Sequence, residues 1–448
     1  MISNLPSNVQ KYLMKYADEN RKLEINEDTK FDLAVVIPAI SEYENLIRLL
    51  NSLAENNFNE SFKIVLIIVI NSCKSSSREV KEENKKTLQL LHSILNKDLE
   101  HHPTIKKFVS SGLNLGIVDA SSKGCELPDK TGGVGLARKI GMDLALTIFD
   151  YSKPAKRIIA SLDADCLVQE NYIEAILSTF ISKNLNAAVI NYEHPLPEDD
   201  ETRKAIICYE IFLRYYQLGL KYAGSFYAFH TVGSTMVCDH KAYIKVEGMN
   251  KRKAAEEFYF LEKLAKHYTV GRITSTKVFP SPRPSWRVPF GTGQRVTRFL
   301  SKSQNEYLLY HPESFIILKG WLKLFHSNKS LSGKDYLQKA KEIHIELSNF
   351  LKEQNFERNW DKILLNAKDE KHMQSQKVKW FDGFRTLKLI HHFRDKAFPL
   401  MNMFDALDII FEYCNLSPVR NRKGKEVPGE SIQKEYLDIL RATLNNDN

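Results

Sequence analysis

A chain of 448 residues with 43% hydrophobic and 27% charged side chains has the make-up of a folded globular protein, long enough for a large core and an appended second part. Its formal charge of +9 comes from 64 basic and 55 acidic residues, too mild and diffuse for a nucleic-acid binder. The six cysteines, at 73, 125, 166, 208, 238 and 414, form no CxxC pair, which argues against a disulfide framework or a zinc site.

The polar residues 1–30 read as a leading arm with one short helix over 9–16. Their start shows neither a charged lead-in nor an apolar stretch, and no apolar run reaches the length of about eighteen residues needed to span a bilayer. The expected location is therefore cytoplasmic, with the inner face of a membrane as a variant. From Phe31 the character changes: a strand over Leu33–Ile37, a helix over Glu44–Leu53 and a β-branched strand over Phe62–Ile70 predict a βαβ unit in a parallel sheet. A charged helix follows over about 75–104, then a short third strand at Lys106–Val109 and a long loop over 110–133. A helix over Gly135–Phe149, a strand over Arg157–Leu162, a helix over Asn171–Phe180 and a strand over Ala187–Asn191 continue the alternation.

After residue 191 the pattern breaks into a long helix over Thr202–Tyr222, a strand near Gly233–Val237 and a helix over Ala254–His267. The Pro- and Gly-rich sector 278–293 reads as a loop. Helices are predicted at 303–310, 313–325, 333–352, 358–366, 378–392, 401–413 and 431–442. The expected organisation is an arm over 1–30, an α/β domain over 31–299 with a doubly wound, mostly parallel sheet, and a helical part over 300–448.

Four segments carry candidate chemistry. The strand Ile158–Leu162 ends in Asp163-Ala164-Asp165, either an ordinary strand-to-turn junction or a seat for a divalent cation against a phosphate. Gly132-Gly133-Val134-Gly135, between Lys130 and Arg138, is either a tight loop with a helix cap or a close approach for a diphosphate; its spacing is not a P-loop. Glu256 and Glu257 open a helix, where they either cap the dipole or supply a general base. Arg283, Trp286, Arg287 and Arg295 lie on the proline-rich loop, either as phosphate forks with an aromatic face or as a packed connector.

Taken in order, these pieces resemble the family 2 inverting glycosyltransferases that use nucleotide sugars. The resemblance covers about 31–295: Val35-Val36-Ile37-Pro38-Ala39 with Ser41-Glu42, Val69-Ile70-Asn71, Gly132–Gly141, Leu162-Asp163-Ala164-Asp165, Gly233-Ser234-Thr235-Met236 with Gly248-Met249, and Glu256-Glu257-Phe258-Tyr259-Phe260. It implies a GT-A type sheet and transfer of a sugar from a nucleotide diphosphate sugar, UDP-linked foremost, to a hydroxyl of a glycan, lipid-linked or small-molecule acceptor. It also implies Mn²⁺ or Mg²⁺ held by Asp165 with Asp163, and Glu257 as base with Glu256 beside the acceptor. The nucleotide sugar would lie near Pro38, Ala39, Glu42, Asn71, Lys130, Gly133, Arg138 and Asp163. Gly233, Ser234, Arg283, Trp286 and Arg287 would stand on the acceptor or diphosphate side.

Besides Ser41, Asn71 and Lys139, which stand where the family usually has Asn, Asp and Asn, the chain departs from the pattern in three further places. Glu257 stands where aspartate is usual, the Gln-x-x-Arg-Trp element of processive members is missing, and the histidine that often ligates the metal has no counterpart in 278–295. A non-processive enzyme is therefore expected, with peripheral membrane contact through the apolar, basic stretch Ser314–Phe325 set against a plain core helix there. The alternatives are a sugar-phosphate nucleotidyltransferase and a non-catalytic member of the fold that binds a sugar nucleotide or a protein.

Overall fold

A computed structural model describes residues 4–26, 29–98, 105–285, 291–419, 422 and 426–445. The chain divides into two units, one of residues 1–195, 231–264 and 268–294, the other of 196–230, 265–267 and 295–448.

In the first unit, α1 (Ser7–Tyr16) precedes β1 (Leu33–Ala39), α2 (Tyr43–Ala54), β2 (Ile64–Asn71), α3 (Arg78–Leu95), α4 (Ile105–Val109), β3 (Asn114–Ala120) and α5 (Val134–Ile148). Then come β4 (Ile158–Ser161), β5 (Leu167–Val168), α6 (Tyr172–Ser182) and β6 (Ala187–Tyr192). The chain leaves for α7 (Asp200–Tyr222) and returns through a single 3-10 turn (Gly233–Thr235) to β7 (Met236–Asp239), α8 (His240–Lys245), α9 (Glu256–Ala265) and β8 (Val270–Phe279). The eight strands form one mixed sheet in the order β3-β2-β1-β4-β7-β6-β8-β5, with β7 and β5 antiparallel to their neighbours.

Every residue of β1, β2, β4 and β6 is buried, as unbroken apolar runs demand when helices cover both faces. Val35, Ile37, Leu66, Ile68 and Ile70 join the core made with α2, α3 and α6. Val36 and Val69 face α5, which approaches so closely that a Cβ on Gly141 would lie 2.9 Å from Val69 Cγ2.

Three strands of the sheet differ from expectation, the short β5 having had no counterpart in it. Lys106–Val109 belongs to the short helix α4, and the third strand is Asn114–Ala120, inside the expected loop. Asn114, Gly116 and Asp119 break up a run whose Leu115, Ile117 and Val118 are buried, and pairing to β2 overrides local preference. The leading residues cover this edge: Glu24 exchanges both backbone hydrogen bonds with Ile117, each 2.9 Å. The polar strand β8 was not expected before residue 278; it lies parallel to β6, with a bulge at Ile190/Asn191.

The second unit contains α7 and the C-terminal run α10 (Thr292–Leu300), β9 (Leu308–Leu309), α11 (Glu313–Phe325), α12 (Gly333–Ile343), α13 (Ile345–Glu353), α14 (Phe356–Leu365) and α15 (Glu370–Trp380). It ends with α16 (Gly383–Lys396), β10 (Met401–Asn402), α17 (Met403–Tyr413) and α18 (Glu430–Asn445). The expected helix at 303–310 is instead an extended stretch in which Leu308–Leu309 pairs with Met401–Asn402. The expected helix 333–352 breaks at His344, whose extended backbone lets Nδ1 accept the Glu346 N–H at 3.1 Å. α11 buries Phe315, Ile317, Leu318, Trp321, Leu322 and Phe325, so Ser314–Phe325 is a core helix, with Lys319 over the Tyr222 ring. Among the described residues no helix is long and apolar enough to cross a membrane.

Candidate active site

Strand directions decide which loops meet. β1, β2 and β4 are parallel, so their carboxyl ends (Ala39, Asn71 and the Ser161-to-Asp165 turn) share one edge of the sheet. β7 runs the other way, so the turn Gly233–Thr235 at its start reaches that same edge. β6 and β8 run with β4, and the end of β8 at Phe279 delivers residues 280–285 there as well.

Arg138, one turn into α5 and only 2% exposed, organises the edge. Its guanidinium pairs with Asp163 through one nitrogen and with Glu256 through another, while Nε donates to Ser161 Oγ at 3.0 Å. Burial by itself would lower its pKa; Asp163 and Glu256 outweigh that and hold the group firmly charged. A Cβ on Gly233 would lie 2.6 Å from Arg138 Nη2, so the glycine there makes room for the guanidinium.

Glu256 and Glu257 begin α9. Ala255 just before them has φ +56°, a left-handed conformation uncommon outside glycine. That turn aims Glu256 at Arg138, and Asn250 Nδ2 fixes it by donating to the Glu256 carbonyl at 2.8 Å. Burial, then the neighbouring Glu256, push the Glu257 carboxyl up to about 8, against the pull of Arg138. A carboxyl in that range exchanges its proton near neutral pH.

A second knot forms around Asp165. Arg283, arriving after β8, donates from Nε at 3.2 Å and Nη2 at 2.9 Å to Asp165 Oδ2, and Nη2 also pairs with Glu42. Burial, then Glu42 and Asp163, raise Asp165 to about 6 even though Arg283 favours its charged form. Asp163 and Asp165 are partly exposed, with side-chain exposures of 34% and 26%. Glu42, Asp163, Asp165, Glu256 and Glu257 thus form one continuous cluster with only two guanidinium groups, Arg138 and Arg283, among these seven side chains.

The other expected residues divide. Pro38 and Ala39 are buried at the end of β1. Asn71 spends its amide on the protein, donating to Ala39 O at 3.0 Å and splinting the ends of β1 and β2. Lys130 is exposed, on the loop before α5. The glycine loop holds protein rather than open space: a Cβ on Gly133 would lie 3.1 Å from Lys253 Cα, and one on Gly135 3.0 Å from Glu256 Cβ. These glycines therefore let residues 250–256 press onto α5. Arg138 is likewise an internal ion-pair partner and not a free cation awaiting phosphate. Ser234 is fully buried. Trp286 and Arg287 lie outside the described residues. Arg295 pairs with Glu306 at 2.9 Å, in the second unit.

Asn84 escaped the sequence reading. This residue of α3, 1% exposed, accepts the Ser41 N–H at 2.8 Å and donates to Asn71 O and Ser121 Oγ, each at 2.9 Å, stitching together the loops after β1, β2 and β3. Its signal was its register: Val80, Asn84, Thr87, Leu88 and Leu91 make one buried helical stripe through a charged segment.

Among the described residues no three His, Cys, Asp or Glu side chains converge to hold a metal by themselves. The surplus of carboxylate oxygen nevertheless fits a hard divalent cation: Asp165 and Asp163 are the protein ligands on offer, and phosphate oxygens and water would complete the shell.

No protein-family model matches the sequence. No curated protein matches it either. Among solved structures it is similar to S. aureus TarS 1-349 in complex with UDP-GlcNAc, at TM-score 0.37 and 12% identity over 78% of this chain and 91% of that one. It is also similar to the mannosyltransferase PcManGT from Pyrobaculum calidifontis in complex with GDP-Man and Mn2+, at TM-score 0.32 and 11% identity over 83% of this chain and 92% of that one. Likeness at this level carries no argument about the chain's activity.

Proposed function

We propose that the chain is an inverting, non-processive glycosyltransferase of GT-A type, which moves a sugar from a nucleotide diphosphate sugar, UDP-linked foremost, to an acceptor hydroxyl. One observation carries the reading. Arg138 pairs at once with Asp163, of the carboxylates that would face the diphosphate, and with Glu256, next to the carboxyl whose raised pKa suits a base. On this reading one buried guanidinium joins the donor side to the acceptor side.

In this mechanism Glu257, ionised, takes the proton of the acceptor hydroxyl as that oxygen attacks the anomeric carbon and the bond to the diphosphate breaks. Arg138 fixes Glu256 and so the first turn of α9, which sets the position of Glu257; a small error in that position is costly to rate. The strand ends splinted by Asn71 and Asn84 form a rigid floor for the nucleoside. Mn²⁺ or Mg²⁺, when bound at Asp165 with Asp163, supplies positive charge for the leaving diphosphate.

The test is a panel of UDP-, GDP- and dTDP-sugars, each with and without Mn²⁺, followed by thermal shift and by donor hydrolysis. One nucleotide should raise the melting temperature, and Asp165→Ala should remove both the shift and the hydrolysis. A panel in which no nucleotide sugar binds or is hydrolysed overturns the proposal.

A further inference from the structure

Arg283 holds the carboxylate that the proposed cation needs. Its Nε and Nη2 both reach Asp165 Oδ2, at 3.2 and 2.9 Å, and the same Nη2 pairs with Glu42, 6% exposed just before α2. Oδ2 already accepts both of these N–H groups, so a divalent cation seated on that oxygen must displace at least one of them, and the two positive charges repel. Arg283 stands on the segment after β8 with a side chain 32% exposed, whereas Arg138 at 3% is enclosed by Asp163, Glu256 and Ser161. Of the two guanidinium groups, Arg283 is the one placed to leave.

We propose that Arg283 is a resident counter-ion of the cation seat, bound to Asp165 in competition with the divalent cation and released when a diphosphate offers it another anionic partner. This deepens the proposed function and rests on its assignment of Asp165. Charge balance gives the order of events. Displacing Arg283 by a cation alone leaves its guanidinium with Glu42 only, beside a second positive charge. A diphosphate arriving with the cation supplies phosphate oxygens to both, and guanidinium pairs well with phosphate. The chain should therefore bind Mn²⁺ weakly alone and much more tightly with a nucleoside diphosphate, and that synergy should reside in Arg283.

Mn²⁺ binding, measured by the loss of the free-ion electron paramagnetic resonance signal, tests this without any turnover. The wild-type chain, Arg283→Ala, Arg283→Lys and the double variant Arg283→Ala/Asp165→Asn are titrated with and without UDP, with folding checked by thermal unfolding. Without nucleotide, Arg283→Ala should bind Mn²⁺ at least about tenfold more tightly than wild type, because one unit charge is gone from beside the seat. UDP should tighten Mn²⁺ binding strongly in wild type and far less in Arg283→Ala, with Arg283→Lys between them. Adding Asp165→Asn should abolish the gain. Equal or weaker Mn²⁺ binding by Arg283→Ala, with the double variant silent, overturns the competition and leaves the seat standing. Binding that survives in the double variant, or is missing from every variant, overturns the seat itself and with it the competition.

Discussion

Among the described residues of the first unit two arginines are buried, at opposite ends of the same strand region, and their surroundings differ in one respect. Arg157, just ahead of β4, pairs with Asp32 at 3.2 Å and gives its other donors to the carbonyls of Asp150, Lys153 and Lys156. The second oxygen of Asp32 accepts the Lys63 N–H at 3.0 Å, so one acid meets one base and each guanidinium nitrogen has a partner. Arg138, at the carboxyl end, serves two acids directly with a third beside them. A buried ion pair by itself marks nothing functional. The unbalanced carboxylates are what distinguish a site from a clamp.

Four experiments break or sharpen that contrast. Glu257→Gln should lower kcat/KM by about 10²- to 10⁴-fold, the usual contribution of a positioned base, with donor binding nearly unchanged. A comparable loss of donor affinity would mean that Glu257 serves binding and not proton transfer. Arg157→Ala should cost about 3–5 kcal/mol of stability in urea unfolding, since it strands Asp32 in the interior. The turnover of the folded fraction should stay unchanged, and a specific loss of activity would erase the distinction between the two ends.

The third experiment uses pH. The Glu257 carboxyl, at 4.5 ordinarily, titrates near 8 in the folded chain, so between those values the folded state keeps a proton that the unfolded chain has lost. Its contribution to stability is fully present below 4.5 and is lost as pH rises through about 8. The kcat/KM of the free enzyme should climb over the same upper range as the base ionises. Glu257→Gln should flatten both profiles, and a rate profile already level at pH 6 would contradict the assignment. Smallest is Ala255→Gly: relief of the left-handed backbone should be worth up to about 1 kcal/mol in the melting transition. A loss of stability there would show that the alanine methyl packs more than its backbone strains.

The strands that build the floor of the site were legible because burial on both faces leaves an unbroken apolar run, as in Ile64–Ile70. Asp163, Asp165, Glu256 and Glu257 were legible because paired acids at a strand end and a helix start are informative without their neighbours. β3 was hidden because Gly116 and Asp119 read locally as loop while the sheet edge imposes extension. Asn84 was hidden by the lysines and glutamates around it, and Ala255 by a backbone angle that no residue type announces. The glycines before α5 also admit the protein's own 250–256 segment, a long-range fact absent from local pattern.

The second unit is made of chain on both sides of the first unit's last strands. α7 belongs to the same hydrophobic core as α11, α17 and α18, with Ile207, Ile211 and Tyr215 among Phe315, Trp321, Phe404 and Tyr436. Glu210 of α7 is held by Arg214 and, through both its oxygens, by Arg441 near the end of the chain at 2.7 and 2.9 Å. Cutting the gene after residue 299 would therefore not release a tidy catalytic half. It would lay bare a greasy helix whose buried Glu210 keeps Arg214 but loses Arg441, and the shortened polypeptide should be recovered as aggregate.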